Sequence, residues 1–237
     1  MKKTLLLLTI AVLCLGTYAS ADNFTTYSTR VQQNPSDYYD WGQIAPPGTI
    51  VNTPQFVTSF SGTNAGLVGN INGSQFLTAQ EGSTWIGNFD YGENLIWTGN
   101  SAFGIGGLGP MAMVFLHPVG SVGFSIQADF YGPFTAYLVA FDSSGNPLFS
   151  LTENGVSNSL ENGSALFLGI GDTSGDNIST VEFTISSDAN PPYSNDDFAI
   201  DAISIGYGVT TPEPSSLVLL GSGLLGMAGV LRRKLSR

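Results

Sequence analysis

The sequence predicts an all-β protein whose body is a single jelly-roll-like β-sandwich. Short apolar segments recur along the chain and are separated by turn residues, such as Ser-Gly-Asn at 144–146 and Asn-Gly at 154–155 and 162–163. Residues 181–185 alternate apolar and polar side chains, which is the pattern of a half-buried strand. No segment of the body shows helical periodicity. About ten short strands of this kind favour two packed antiparallel sheets in one domain.

Each predicted strand is an apolar run bounded by Gly, Pro, Asn, Asp or Ser. The clearest is Phe134–Phe141, which follows Gly-Pro and precedes Asp-Ser. In the last strand both faces are apolar, because Asp201 alternates in phase with Ile203 and Ile205 and out of phase with Phe198. The other predicted strands are Phe56–Phe60, Leu67–Ile71, Leu95–Thr98, Met111–Leu116, Val122–Ala128, Ala165–Gly169 and Phe198–Ile205.

The N-terminus has the three parts of a secretory signal peptide. Two lysines precede an apolar run at 5–15, and Ala19-Ser20-Ala21 matches the small-x-small rule for cleavage. The run is too short for a membrane anchor, which needs about 20 apolar residues. We therefore predict a signal helix at 1–21, with cleavage set by Ala19 and Ala21, ahead of a β-sandwich domain at 22–208.

The C-terminal segment 209–237 predicts a sorting tail with a transmembrane helix. An apolar stretch at 217–231 follows a Pro-Glu-Pro triplet and precedes a basic cluster. Cations after such a stretch keep the C-terminus in the cytoplasm and leave the body on the other side of the inner membrane. The residues that define the tail are Pro212, Glu213, Pro214, Arg232, Arg233 and Lys234.

This arrangement resembles the PEP-CTERM sorting signal of Gram-negative bacteria. The resemblance implies export by the general export machinery, transient anchoring in the inner membrane, and processing by exosortase, a membrane-embedded cysteine protease or transpeptidase. The protein would then stay at the cell surface or be secreted, in an organism that makes extracellular polysaccharide. The alternative is a plain C-terminal membrane anchor.

The body is also similar to the β-rich domain of exported PEP-CTERM proteins. The similar segments span most of the mature chain and lie at 40–43, 85–89, 122–129, 132–134 and 197–201. This resemblance implies a fold and a location, and it assigns no activity.

Charge excludes several function classes. Between residues 22 and 211 there are 17 acidic residues and one basic residue, Arg30, so this segment carries 1 − 17 = −16. Such a surface repels nucleic acid. One histidine, His117, and one cysteine, Cys14, exclude catalytic triads, zinc sites and disulfides. We predict no enzymatic activity.

Asp201 is the carboxylate that most needs a partner, because an isolated buried charge costs several kcal/mol or more. Since Arg30 is the only cation of the body, a structural calcium ion is one solution, with Asp129, Asp196 and Asp197 as further oxygen ligands. The alternative places Asp201 at the sheet rim, solvated or bonded to backbone N–H groups. No other cofactor is predicted.

Aromatic side chains offer a second candidate site, because their rings can stack on sugars. The candidates are Tyr38, Tyr39, Trp41, Trp85, Tyr91 and Trp97. The alternative is that these rings belong to the core, where most aromatic residues lie. A less favoured hypothesis is a glycosidase that uses two carboxylates, either Asp90 with Glu93 or Glu153 with Glu161.

The sequence therefore predicts a non-enzymatic protein of the cell surface or extracellular matrix that is associated with exopolysaccharide. A carbohydrate-binding module with a specific glycan ligand is the first alternative. A glycosidase is the second.

Overall fold

The computed structural model describes residues 24–71, 75–99, 109–187 and 197–208. These residues form fifteen strands, a one-turn helix α1 (Arg30–Gln33) and a 3₁₀ turn (Trp41–Gln43). The strands are β1 Phe24–Tyr27, β2 Asp37–Tyr39, β3 Ile50–Asn52, β4 Gln55–Thr58, β5 Ala65–Asn70, β6 Gln75–Gln80, β7 Asn94–Trp97, β8 Met111–Val119, β9 Ser121–Ala128, β10 Gly132–Phe141, β11 Pro147–Ser157, β12 Leu166–Asp172, β13 Ile178–Ser187, β14 Phe198–Ile200 and β15 Ile203–Gly206.

Two antiparallel sheets face each other, so the predicted all-β sandwich is confirmed. One has nine strands in the order β1-β12-β9-β14-β7-β6-β3, with β15 joining β9 to β2. The other has six strands in the order β11-β10-β13-β8-β5-β4. Alternate residues of each strand point into a shared core, where the rings of Phe124 and Phe183 lie 4.7 Å apart. Burying each such side chain contributes about 1.5–3 kcal/mol.

The Asn-Gly pair at 154–155 is not a turn, contrary to the prediction. It lies inside β11, where Gly155 is paired with Phe134 of β10. A Cβ at Gly155 would lie 2.5 Å from Cζ of Phe134, so the phenyl ring occupies the space that a side chain would need. A glycine opposite an aromatic residue is stabilised in a strand by this cover.

Asp201 lies at a β-bulge that the sequence does not reveal. The predicted strand 198–205 is two strands, β14 and β15, and both pair with β9. Ile200 is opposite Ile126 and Ser204 is opposite Gly123, so four steps of one chain match three of the other. The extra residue reverses the alternation. The prediction that Asp201 shares a face with Ile203 is therefore wrong, because Ile203 points into the core and Asp201 lies on the outer face.

No helix within the described ranges is long and apolar enough to cross a membrane. The predicted signal helix, its cleavage residues and the predicted transmembrane helix all lie outside the described residues. The same holds for the residues that define the sorting tail and for Asp196.

Candidate functional site

The outer face of the nine-stranded sheet carries a second apolar cluster beneath the loop that joins β6 to β7. At its centre the rings of Trp85 and Trp97 meet edge to face, with centroids 5.1 Å apart. The cluster consists of Leu77, Ala79, Trp85, Phe89, Leu95, Trp97 and Ala199. Residues of the loop thus form a layer over the sheet.

A buried carboxylate holds this loop. Glu81 accepts hydrogen bonds from the backbone N–H groups of Gly82, Gly87 and Phe89, at 3.2, 2.7 and 3.2 Å. Burial raises the pKa of Glu81, and the three N–H groups oppose that rise. The loop therefore closes around one acidic side chain.

Gln127 of β9 holds the same loop from the sheet below. Its Oε1 accepts from the backbone N–H of Asn88 at 2.6 Å, and its Nε2 donates to Oδ1 of Asn88 at 3.0 Å. Nε2 also donates to Oγ of Ser157 at 2.7 Å. All polar atoms of this buried amide have partners, as a buried amide requires.

A cavity of about 250 Å³ opens beside this loop, between the segment that leads into α1 and the outer face of the sheet. Four of its lining side chains are ionisable, and three are apolar. The ionisable ones are Arg30, Asp90, Glu93 and Asp201, and the apolar ones are Phe89, Ala165 and Phe167. Two other depressions, around Val156 and around Leu67, have no ionisable residue among the described residues that line them.

An ion pair forms one wall of the cavity. Nη2 of Arg30 donates to Oδ2 of Asp201 at 2.8 Å and to the carbonyl oxygen of Ala202 at 2.9 Å. Oδ1 of Asp201 accepts from the backbone N–H of Ser125 at 2.7 Å, and Nε1 of Trp41 donates to the carbonyl of Asp201 at 2.7 Å. The Asp201 side chain is 4% exposed and that of Arg30 is 35% exposed. Both carboxylate oxygens of Asp201 are therefore occupied by protein donors.

Two carboxyl groups of the cavity, those of Glu93 and Asp201, have raised pKa values. Burial raises the pKa of Glu93 to about 7, with a further rise from the charge of Asp201 and an opposing effect of Arg30. Burial raises the pKa of Asp201 to about 6, against Arg30 and Ser125. Burial therefore favours the neutral form of both carboxyl groups, and the charge of Arg30 opposes this effect.

The sequence predicts either calcium or solvent and backbone N–H groups as partners of Asp201, and the structure shows Arg30 together with the backbone N–H of Ser125. Among the described residues, no three His, Cys, Asp or Glu side chains lie together as metal ligands would. Asp197 is buried beside Thr98, whose hydroxyl donates to its carboxylate at 3.5 Å, and the backbone N–H of Asp129 donates to the carbonyl of Asp197. Each carboxylate oxygen of Asp201 accepts one hydrogen bond, from Arg30 or from Ser125, and keeps a second lone pair, so the calcium site stays a prediction.

Most of the aromatic residues proposed to bind glycan are in the core. Their side chains expose no ring face to a sugar, with residual exposures of 0–5% for Tyr39, Trp41, Trp85 and Trp97. Tyr38 is half-buried and stacks on Phe60 with ring centroids 4.9 Å apart, while Tyr91 is 75% exposed. Of the six aromatic residues predicted to stack on sugars, only Tyr38 and Tyr91 are accessible to solvent.

Of the two proposed carboxylate pairs, only Asp90 and Glu93 line the cavity. Glu153 lies on β11 of the other sheet, and the backbone N–H of Glu161 donates to the carbonyl of Gly87 at 2.7 Å. Neither Arg30 nor Phe167 is predicted from the sequence as a residue of a functional site. The signal for Arg30 was its status as the only cation of the body, which makes it the only possible ion-pair partner.

The fold and the cavity define a β-sandwich protein with a small polar site on one sheet. The C-terminal tail carries a sorting signal. Residues 210–234 match the PEP-CTERM protein-sorting motif, which confirms the resemblance of the tail to that signal. The motif indicates an exported protein that passes through a membrane-anchored form and is processed by an exosortase.

No curated protein matches the chain. Among solved structures, the chain is similar to the crystal structure of a DUF4465 family protein from Bacteroides caccae ATCC 43185. The two are 12% identical, with a TM-score of 0.40 over 78% of this chain and 99% of the other.

Proposed function

We propose that the exported body is a non-enzymatic component of the cell surface or extracellular matrix that associates with exopolysaccharide. The observation that carries the proposal is that Arg30, the only cation of the body, is used internally by Asp201. The polar groups of the surface are thus mainly hydroxyl, amide and carboxylate groups. Such a surface stays hydrated and suits a hydroxyl-rich polymer, while it repels polyanions.

The engagement of Asp201 supports the non-enzymatic assignment for one of the three carboxyl groups of the cavity. A glycosidase needs one carboxyl group as acid and a second as base or nucleophile, at a separation of about 5–9 Å. Both oxygens of Asp201 already accept protein hydrogen bonds, so this residue is positioned to support the cavity wall.

A glycosidase remains the second candidate because Asp90 and Glu93 line the same cavity. The raised pKa of Glu93 is the property that a general acid requires. This candidate predicts that reducing sugar is released from polysaccharide and that Glu93→Gln abolishes the release.

The test is electrophoresis of the purified full-length protein through native gels that contain dextran, galactomannan or alginate. We expect retarded migration in at least one neutral polysaccharide, relative to a gel without polymer and to a non-binding marker protein. Parallel incubations are assayed for reducing ends, and we expect none above the protein-free blank. Unchanged migration in every gel contradicts the association with polysaccharide, and sugar release contradicts the non-enzymatic role.

A further inference from the structure

We propose that the cavity lined by Arg30, Asp90, Glu93 and Phe167 binds a single neutral sugar residue, at the end or at a branch of a polysaccharide chain. This inference rests on the proposed function, and it adds the site and the chemical class of the ligand. The volume of the cavity, about 250 Å³, is below the range of about 300–1,000 Å³ for pockets that hold drug-sized ligands. The space suits one pyranose ring.

The charge of the cavity selects a neutral ligand. The guanidinium of Arg30 is neutralised by Asp201 at 2.8 Å, so it offers no net attraction to an anion. Asp90 and Glu93 add negative charge on the same cavity. An acidic sugar would bring a like charge to these carboxylates, and like charges at short range repel. Uronic acids are therefore excluded by the same groups that bind hydroxyls.

The polar groups of the cavity match a polyol, whose hydroxyls both donate and accept hydrogen bonds. Asp90 is exposed and accepts, while Arg30 is one-third exposed and keeps further N–H donors. Because the pKa of Glu93 is about 7, its carboxyl group can donate in the neutral form and accept in the charged form. Ser28 and Thr29 also line the cavity.

The aromatic ring of Phe167 provides an apolar wall for the C–H face of a sugar. The ring lies against two glycines of the outer sheet face, since a Cβ would be 2.5 Å from Cζ of Phe167 at Gly123 and 2.7 Å from Cε1 at Gly169. These glycines are directly opposite each other in β9 and β12. Ala165 extends the wall. Aromatic rings favour such amphipathic contacts because their faces are apolar.

The site is formed before any ligand enters. Arg30 is fixed by Asp201 and Ala202, and Asp90 forms a backbone bridge with Asn162. Gly163 has a φ of +72°, and a side chain there would collide with the carboxylate of Asp90. A preformed site spends little binding energy on ordering, which allows a small ligand to bind measurably.

The test detects binding of simple glycosides to the full-length protein by saturation-transfer NMR and measures their affinity by titration. The probes are the methyl glycosides of glucose, galactose and mannose, together with methyl glucuronide and methyl galacturonide. We expect binding of at least one neutral glycoside and none of the uronides. Glu93→Ala and Asp90→Ala are each expected to weaken the affinity about tenfold or more, as loss of a hydrogen bond to a charged group does. The matched control is Glu153→Ala on the other sheet, which is expected to leave the affinity unchanged.

The outcomes separate this inference from the proposed function. Uronides that bind as well as the neutral glycosides overturn the ligand class, and equal binding by Glu93→Ala overturns the site. Retardation in polysaccharide gels without any glycoside binding overturns the cavity as the site but leaves the proposed function standing. If neither retardation in the gels nor binding of a glycoside is observed, the proposed function is overturned as well.

Discussion

The outer faces of the two sheets are built differently. On the nine-stranded sheet, the β6–β7 loop and the α1 segment cover the strands and enclose a second apolar cluster and the cavity. On the six-stranded sheet, Phe56, Leu67 and Val114 are register neighbours across β4, β5 and β8 and are 43–65% exposed. Of the three depressions reported above for the described residues, the one on the covered face is the one that gathers ionisable groups, and that is where we place function.

The difference has a physical cause. Strands satisfy each other's backbone groups, so an open sheet face needs no further polar partners. A loop that lies on a sheet buries backbone N–H groups that have no strand partner, and each of them must find an acceptor. Glu81 and Gln127 serve that purpose here. The covered face should therefore be sensitive to the loss of its polar side chains. The open face should tolerate the replacement of its exposed apolar side chains by polar ones.

The largest effect is expected for Asp201→Ala on the covered face. The change removes the hydrogen bonds that the carboxylate accepts from Arg30 and from the N–H of Ser125, and at about 1.5–3 kcal/mol for each bond to a charged group the loss is about 3 kcal/mol or more. The melting temperature should fall by about 6–12 °C, at 2–4 °C per kcal/mol for a domain of this size. Calorimetry measures this change, with Glu153→Ala as the control. A loss equal to that of the control contradicts the assignment of the ion pair.

Glu81→Ala should be next in size, because three backbone N–H groups lose their acceptor. We expect a loss of about 2–3 kcal/mol, since water can enter the loosened loop and replace part of the bonding. Amide hydrogen exchange should accelerate more at Gly87 and Phe89 than in β10, where it rises only through the loss of global stability. Uniform acceleration over both sheets would mean that Glu81 supports the whole fold.

The third prediction concerns pH. The pKa of Glu93 is raised from 4.5 to about 7, so the folded protein binds this proton more tightly than the unfolded chain does. Its contribution to stability is therefore full below pH 4.5 and is lost as the pH rises through 7. The raised pKa of Asp201 acts in the same direction between 3.8 and about 6.

Denaturant titrations between pH 4.5 and 8 measure this dependence. Glu93→Gln removes the titrating group and should flatten the upper part of the profile. A profile that rises with pH, or one that Glu93→Gln leaves unchanged, is incompatible with a half-buried carboxyl group of raised pKa at this position.

The smallest effect is expected on the open face. Leu67→Thr and Val114→Thr replace half-exposed side chains in strand positions with a residue that also favours strands. The free energy of unfolding should change by less than about 0.5 kcal/mol. Loss of more than about 1.5 kcal/mol in denaturant titrations would show that this face is covered in solution.

The sequence predicts the parts of the fold that depend on local pattern. Alternation and turn residues indicate the long strands, for example β9 and β10. Three-residue strands such as β2 and β3 are too short for alternation to be recognised, and their pairing is set by distant segments.

The site is predictable only in part. The need of Asp201 for a partner follows from its apolar neighbours, but the bulge that turns it outward depends on its register with β9. The pairing with Arg30 joins residues 171 positions apart, which no local pattern encodes. The aromatic residues show the same limit, because the burial of Trp41 and Trp85 comes from contacts made only in the folded chain.

The Arg30–Asp201 contact also has a consequence for secretion. A polypeptide that crosses a membrane in an extended form, N-terminus first, brings out the guanidinium early and its carboxylate partner 171 residues later. Closing so long a loop is slow and cannot begin until the later residue has emerged. If this chain is exported in such an extended form, the pocket forms only on the far side of the membrane, after residue 201 has emerged.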